Sequence, residues 1–208
     1  MKLFRRLHEI VWTVVEKPLE NLKLGLMNKA CVDKIDGVVI CDFSVGSISS
    51  PNGFVIPTRE AMALIRNIDP RRYRRVCRQF RYIVNQELGE GGNYEQKLKV
   101  CNVDYSRLLS SDNPQWRLRQ YAFLLIHEAT HGLLLDKGIP YSKENRERVE
   151  RLCHLEEYRF ALHFEAGYAD IFPGAFDPEA YAPYWESTGQ VRRSLWWNRL
   201  KDSWRKLE

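Results

Sequence analysis

The feature that most constrains this chain is a run of 23 residues, Pro114 to Asp136, with marked ends and an apolar middle. Asn113 suits a helix N-cap and Pro114 the first helical position. Lys137 lies at the other end, and Gly138 suits the left-handed stop that follows a helix. A helix of this length spans about 35 Å. Tyr121-Ala122-Phe123-Leu124-Leu125-Ile126 and Gly132-Leu133-Leu134-Leu135 make it apolar on nearly every side. Such a helix is expected inside a domain.

In the middle of that helix stands His127-Glu128-Ala129-Thr130-His131. Residues four apart lie one turn apart on one face, so both imidazoles can reach one metal ion. Glu128 projects beside them, where its carboxylate can contact a metal-bound water. It can take that water's proton as the water attacks a carbonyl, then deliver the proton to the leaving amine. Two histidines and a glutamate are costly to bury without partners, and a Zn2+ ion removes that cost. The competing reading is a pair of core histidines bonded to carbonyls; spacing, helix and burial together favour the metal. Ala129, Thr130 and Gly132 are small and allow another element to approach closely.

A catalytic zinc usually has three protein ligands and an open position. The candidates for the third follow a short connection, Ile139-Pro140-Tyr141-Ser142, which predicts an antiparallel partner helix. Ser142 is the expected cap, and the helix is expected to reach about Ala166. Counting ~1.5 Å per residue on both helices sets Glu150 level with His131, and His154 level with His127. Amphipathic placement votes differently. Val149, Leu152, Cys153, Phe160 and Phe164 define the apolar face, and Glu156 projects near its middle. Glu150 is preferred, with Glu156, Glu157 and His154 as rivals. Cys153 is a poorer candidate, because most buried cysteines are packing residues. Tyr141, Tyr158 and His163 are each able to stabilise an oxyanion, and the sequence does not select among them.

The remaining chain predicts one α+β domain over residues 1–208, mostly helical, with a small sheet. Val38 to Phe43 reads as a strand, Phe54-Val55-Ile56 as a short one, and Lys97 to Tyr105 as a third. Thr58 is the expected cap of a helix ending near Ile68, and Asp69-Pro70 opens the next. In that next segment Tyr73, Val76, Cys77, Phe80, Ile83 and Val84 recur at helical spacing, which sets the arginines between Arg71 and Arg81 mainly on the opposite face. Gly89 to Asn93 reads as a loop. The first 25 or so residues read as helix. A terminal amphipathic helix is expected around Trp196, Trp197, Leu200 and Trp204.

Composition adds bounds. Hydrophobic residues make up 44% and charged residues 28%, which is ordinary for a folded chain and argues against disorder along the whole length. A formal charge of +5 is too mild to establish a nucleic-acid partner. The arginine stretch reads as a solvated helix face. Five cysteines, none in a CxxC pair, fit reduced thiols and a cytoplasmic setting. The N-terminal apolar run is broken by Glu9 and is too short to span a bilayer. It leaves room for peripheral membrane contact, although a helix packed on the domain is the preferred reading.

The motif His127-Glu128-Ala129-Thr130-His131 in an apolar helix resembles the active-site helix of zincin metallopeptidases. The supporting pattern runs from Lys97 to about Phe164. The metzincin extension is absent, since Leu134-Leu135-Asp136-Lys137 follows and no histidine occurs before His154. Glu150 comes 19 residues after His131, close to the separation in gluzincins. The segment Glu156 to Ala161 looks somewhat like the glutamate helix of certain small regulatory zincins. The resemblance implies a zinc-dependent peptidase acting on a peptide or protein substrate. It also implies an edge strand holding the peptide extended, a part that Lys97 to Tyr105 would play. Two other functions stay open: an inactive zinc-binding sensor or interaction protein, and a basic membrane-surface or nucleic-acid module using the Arg71–Arg81 helix.

Overall fold

The computed structural model describes residues 17–43, 53–88, 91–109 and 113–164. All belong to one compact unit, residues 1–172. The segment before residue 17, most of the turn-rich stretch after Phe43 and the tryptophan-bearing C-terminal stretch lie outside the described residues.

The chain folds as α+β. A helix α1 (Lys17–Lys29) leads into a hairpin of β1 (Cys31–Ile35) and β2 (Val38–Asp42). Asp36 and Gly37 make its two-residue turn, with φ of 45° and 91°. Both central residues at positive φ match the twist of the flanking strands, and Asp-Gly is a preferred pair for this turn. Helices α2 (Val55–Ile68) and α3 (Pro70–Gln79) then cross over to β3 (Tyr82–Asn85). Strands β4 (Gly92–Glu95) and β5 (Val100–Val103) follow, then a single turn α4 (Tyr105–Leu108), and the long helices α5 (Pro114–Asp136) and α6 (Arg146–Ala161).

The sheet order is β1-β2-β3-β5-β4. The three inner strands run parallel and the two outer ones antiparallel to their neighbours. Every residue of β3 and β5 is buried, as expected when both faces of a strand are covered. On one face Ile83, Cys101 and Val103 join the core with residues of α2, α3, α5 and α6. On the other, Tyr82, Val84 and Val100 pack with Met27 of α1.

Several expectations are corrected. Phe54-Val55-Ile56 is not a strand: α2 starts at Val55, and Thr58 lies inside its first turn. The Thr58 hydroxyl donates to the Phe54 carbonyl at 2.7 Å and pairs with the Tyr121 hydroxyl at 2.9 Å, so it fixes α2 to α5. Pro57 is tolerated there because the first helical N–H groups have no intrahelical acceptor. Helix α3 stops at Gln79, since Phe80 is extended and Ile83 and Val84 enter the parallel sheet. The expected loop at 89–93 overlaps β4 at Gly92 and Asn93. Lys97 to Tyr105 yields strand only at Val100–Val103, and that strand is internal, flanked by β3 and β4. The outer strand beside it is β4, so β5 has no free edge to offer an extended peptide. Ser142 does not cap α6 with its hydroxyl; its carbonyl accepts from Arg146 N at 2.8 Å, and the helix ends at Ala161.

Other expectations are met. The Asp69 side chain accepts from the backbone N–H groups of Arg71 and Arg72, and Asn113 from those of Gln115 and Trp116. Gly138 has φ +76°, the left-handed stop. Among the described residues no helix is long and apolar enough to cross a membrane.

Helix α5 lies against the sheet through two glycines. A Cβ on Gly92 would fall 2.9 Å from the Leu124 side chain, and one on Gly132 would fall 2.6 Å from Gln79 Oε1 and 3.0 Å from Tyr94 Cζ. Gln79 cannot simply swing away, because it is buried and its Nε2 donates to Asp136 at 2.7 Å. The Tyr94 hydroxyl is likewise tied to the Gln79 carbonyl at 3.2 Å. Gly132→Ala is therefore predicted to destabilise the fold by about 1–3 kcal/mol through overpacking. Chemical denaturation of both proteins measures this, and an unchanged midpoint would show that Gln79 and Tyr94 yield freely.

Candidate metal centre

The site is built by two antiparallel helices. Helix α5 carries His127, Glu128 and His131, and α6 carries Glu150, Cys153, His154 and Glu157. Positions 150, 153 and 157 recur at i, i+3 and i+7, so they form one stripe along α6. Of the helix, Val149, Glu150, Cys153, Glu157, Phe160 and Ala161 are buried. The apolar members dock the helix and the polar ones meet the histidines.

The two imidazoles are neighbours, with ring centroids 5.0 Å apart and planes tilted by 60°. Both turn Nε2 toward Glu150: His127 Nε2 lies 3.2 Å from Oε2, and His131 Nε2 lies 3.8 Å from Oε1. The other nitrogen of His127 is occupied, since Nδ1–H donates to Glu157 Oε1 at 3.1 Å. The second oxygen of Glu157 pairs with His154 Nδ1 at 2.7 Å. His154 packs edge-on against His127, with centroids 5.1 Å apart. The Tyr141 ring stands at 87° to that of His131, 5.2 Å away, and its hydroxyl bonds to Glu150. Tyr141 thus steadies the carboxylate that both histidines approach.

The remaining candidates are placed differently. Glu156 faces α3, where it pairs with Arg75 at 2.7 Å and Arg72 at 3.2 Å, and it also meets Arg159 at 2.8 Å. Its expected place amid apolar residues is corrected by this: arginines supply the partner that burial demands. Arg72 and Arg75 accordingly turn inward, while Arg71, Arg74 and Arg78 remain exposed. His163 bonds the Phe160 carbonyl at the end of α6. Glu128 is buried, and its charge is felt at the thiols of Cys101 and Cys153. Cys153 packs with Leu134 and Val149, as expected of a buried cysteine, and it also lies close to the histidines. Its Sγ, one nitrogen of His127 and one of His131 all lie within 4.8 Å of one another. Sequence reasoning missed this proximity and the double grip of Glu157, although the i, i+3, i+7 spacing carries both.

The electrostatics of the cluster follow from burial and these pairings. Burial pushes Glu150 up, but the hydrogen bond and charge of His127, with His131 and Tyr141, outweigh it and hold the carboxyl at about 2. Glu157 is likewise held at about 2, against its burial, by His127 and His154. Burial disfavours a charged His127, yet the charge of Glu157 and the hydrogen bonds to Glu150 and Glu157 raise it well above 6.5. His131, buried beside that imidazolium, falls to about 4. Glu157 is shared between His127 and His154, and Glu150 lies against His127 and His131, so each buried carboxylate has imidazole partners. The donors suit zinc in kind: imidazole nitrogens and a carboxylate, with a second carboxylate orienting one ring from behind.

The signs of these shifts predict the pH response of chelator-treated protein. Glu150 and Glu157, lowered from 4.5, contribute stability that is complete above that value and is lost as pH falls through about 2. His127, raised from 6.5, contributes below 6.5 and loses its contribution as pH climbs through its elevated pKa. Glu157→Gln should cost about 2–3 kcal/mol near neutrality. The gap from wild type should close as pH approaches about 2. Thermal melts across that range check it; a pH-independent gap would contradict an ionised Glu157.

No protein-family model matches the chain, and neither does any curated protein or solved structure at a significant level.

Proposed function

We propose that this protein is a zinc-dependent metallohydrolase of zincin type that cleaves peptide bonds. His127, His131 and Glu150 hold the metal, and Glu128 is the general base. The observation that carries the reading is the approach of both Nε2 atoms to one carboxylate, 3.2 and 3.8 Å away, in a buried pair of helices. Bound there, zinc supplies Lewis acidity.

The chain's own groups supply the rest. Glu157 accepts the Nδ1 proton of His127, which fixes the ring's orientation and leaves Nε2, the nitrogen turned to Glu150, as the one that would meet the metal. Tyr141, through its hydroxyl, restrains Glu150 in the same way. Glu128, next to His127 in the chain, accepts a proton from the attacking water and returns it to the departing amine. The Glu128 side chain is buried, close enough to Cys101 and Cys153 for its charge to act on both thiols. The peptide character of the substrate comes from the family resemblance of the helix motif. The other reading, a zinc site kept for sensing or partner binding, draws support from the nearness of Cys153 to the histidines.

Purified protein is expected to carry about one zinc per chain. His131→Ala should lose it, while Glu128→Gln should retain it and lower peptide hydrolysis by roughly 10²–10⁴-fold. Elemental analysis and a peptide-library cleavage assay read the two effects. Full hydrolysis by the Glu128→Gln protein would remove Glu128 from the mechanism.

A further inference from the structure

Two helices bring His127, His131 and Cys153 together at metal-ligand spacing, and Glu150 approaches the same two histidines. His127 and His131 come from α5, and Glu150 and Cys153 from α6. The Cys153 sulfur is within 4.8 Å of a nitrogen of each histidine. Its side chain is fully buried, so solvent offers it no competing partner. Glu150 and Cys153 are three residues apart and so share a helix face. Three protein ligands are the usual number for a hydrolytic zinc, and four for a closed one. Thiolate is also a preferred ligand for zinc.

We propose that Cys153 is the fourth ligand of this centre and keeps it closed in the resting protein. The proposal rests on the metal reading above and adds a means of regulating the same site. On metal uptake the S–H bond breaks heterolytically, its proton passes to a water molecule of the entering ion's hydration shell, and a sulfur lone pair forms the bond to the metal. No electron is transferred. Hydrolysis then requires the sulfur to withdraw, which opens the coordination position that a reacting group needs.

Cobalt tests this without reference to activity. Co2+ titrated into chelator-treated full-length protein should give a thiolate-to-cobalt charge-transfer band together with the visible bands of a tetrahedral site. Cys153→Ser should abolish the charge-transfer band and keep the visible ones. Its zinc affinity, measured by chelator competition, should fall about 10–100-fold. Cys101→Ser, which changes another buried thiol beside Glu128, should leave the band in place. Cys153→Ala serves as a second variant if serine disturbs the apolar packing. Visible bands without a sulfur band in the wild type, or a sulfur band that survives both Cys153 changes, would overturn the role of Cys153 and leave the His–Glu centre standing. Failure to bind cobalt at all, or binding indifferent to His131→Ala, would overturn the metal centre and the thiol ligand together.

Discussion

The pairing of α5 with α6 is the interaction on which the rest depends. An apolar helix with two histidines and a glutamate in its centre is not a stable object alone, because those groups lose water on burial and need partners. Helix α6 supplies them. Glu150 meets the Nε2 atoms and Glu157 holds the opposite nitrogen of His127. The short connection after Gly138 imposes the antiparallel geometry that brings them level. The fold thereby concentrates buried charge at one place, and the polar chemistry of the centre is also part of what positions α6.

The sheet plays the supporting part. Its parallel inner strands are covered on both faces, and α5 lies across one of them. The close approach at Gly92 and Gly132 leaves little freedom for that helix to slide. Thr58 and Tyr121 join α2 to α5 through a buried hydrogen bond. Histidines held on such a helix are preorganised, which favours tight geometry at a metal over adaptability.

Local signals were legible in the sequence and long-range ones were not. Asn113-Pro114 and Gly138 declare the ends of α5 because caps and left-handed stops are decided by neighbouring residues. The level of Glu150 follows from the rise of two helices and the length of one loop. The edge position of β4 is different in kind: it depends on β5 inserting between β3 and β4, which no local pattern encodes. The spacing from Tyr73 to Val84 matched a helix, yet Ile83 and Val84 answer to the neighbouring strands. Glu156 and Glu157 were indistinguishable as acidic residues on one helix. Their separation into different roles needs the rotation of α6 and the arginines of α3, neither of which is written near them.

That separation has a mechanical meaning. Successive residues on a helix diverge by about 100° around its axis. Glu156 grips Arg72 and Arg75 on one side, while Glu157 grips His127 and His154 on the other. The two carboxylates work as the teeth of a key cut at a fixed angle. Turning α6 by a single position would withdraw both at once, stranding the Arg72 and Arg75 guanidinium groups and the His127 imidazole together. The register of the helix is thus locked from two directions, and any motion that releases one tooth must release the other.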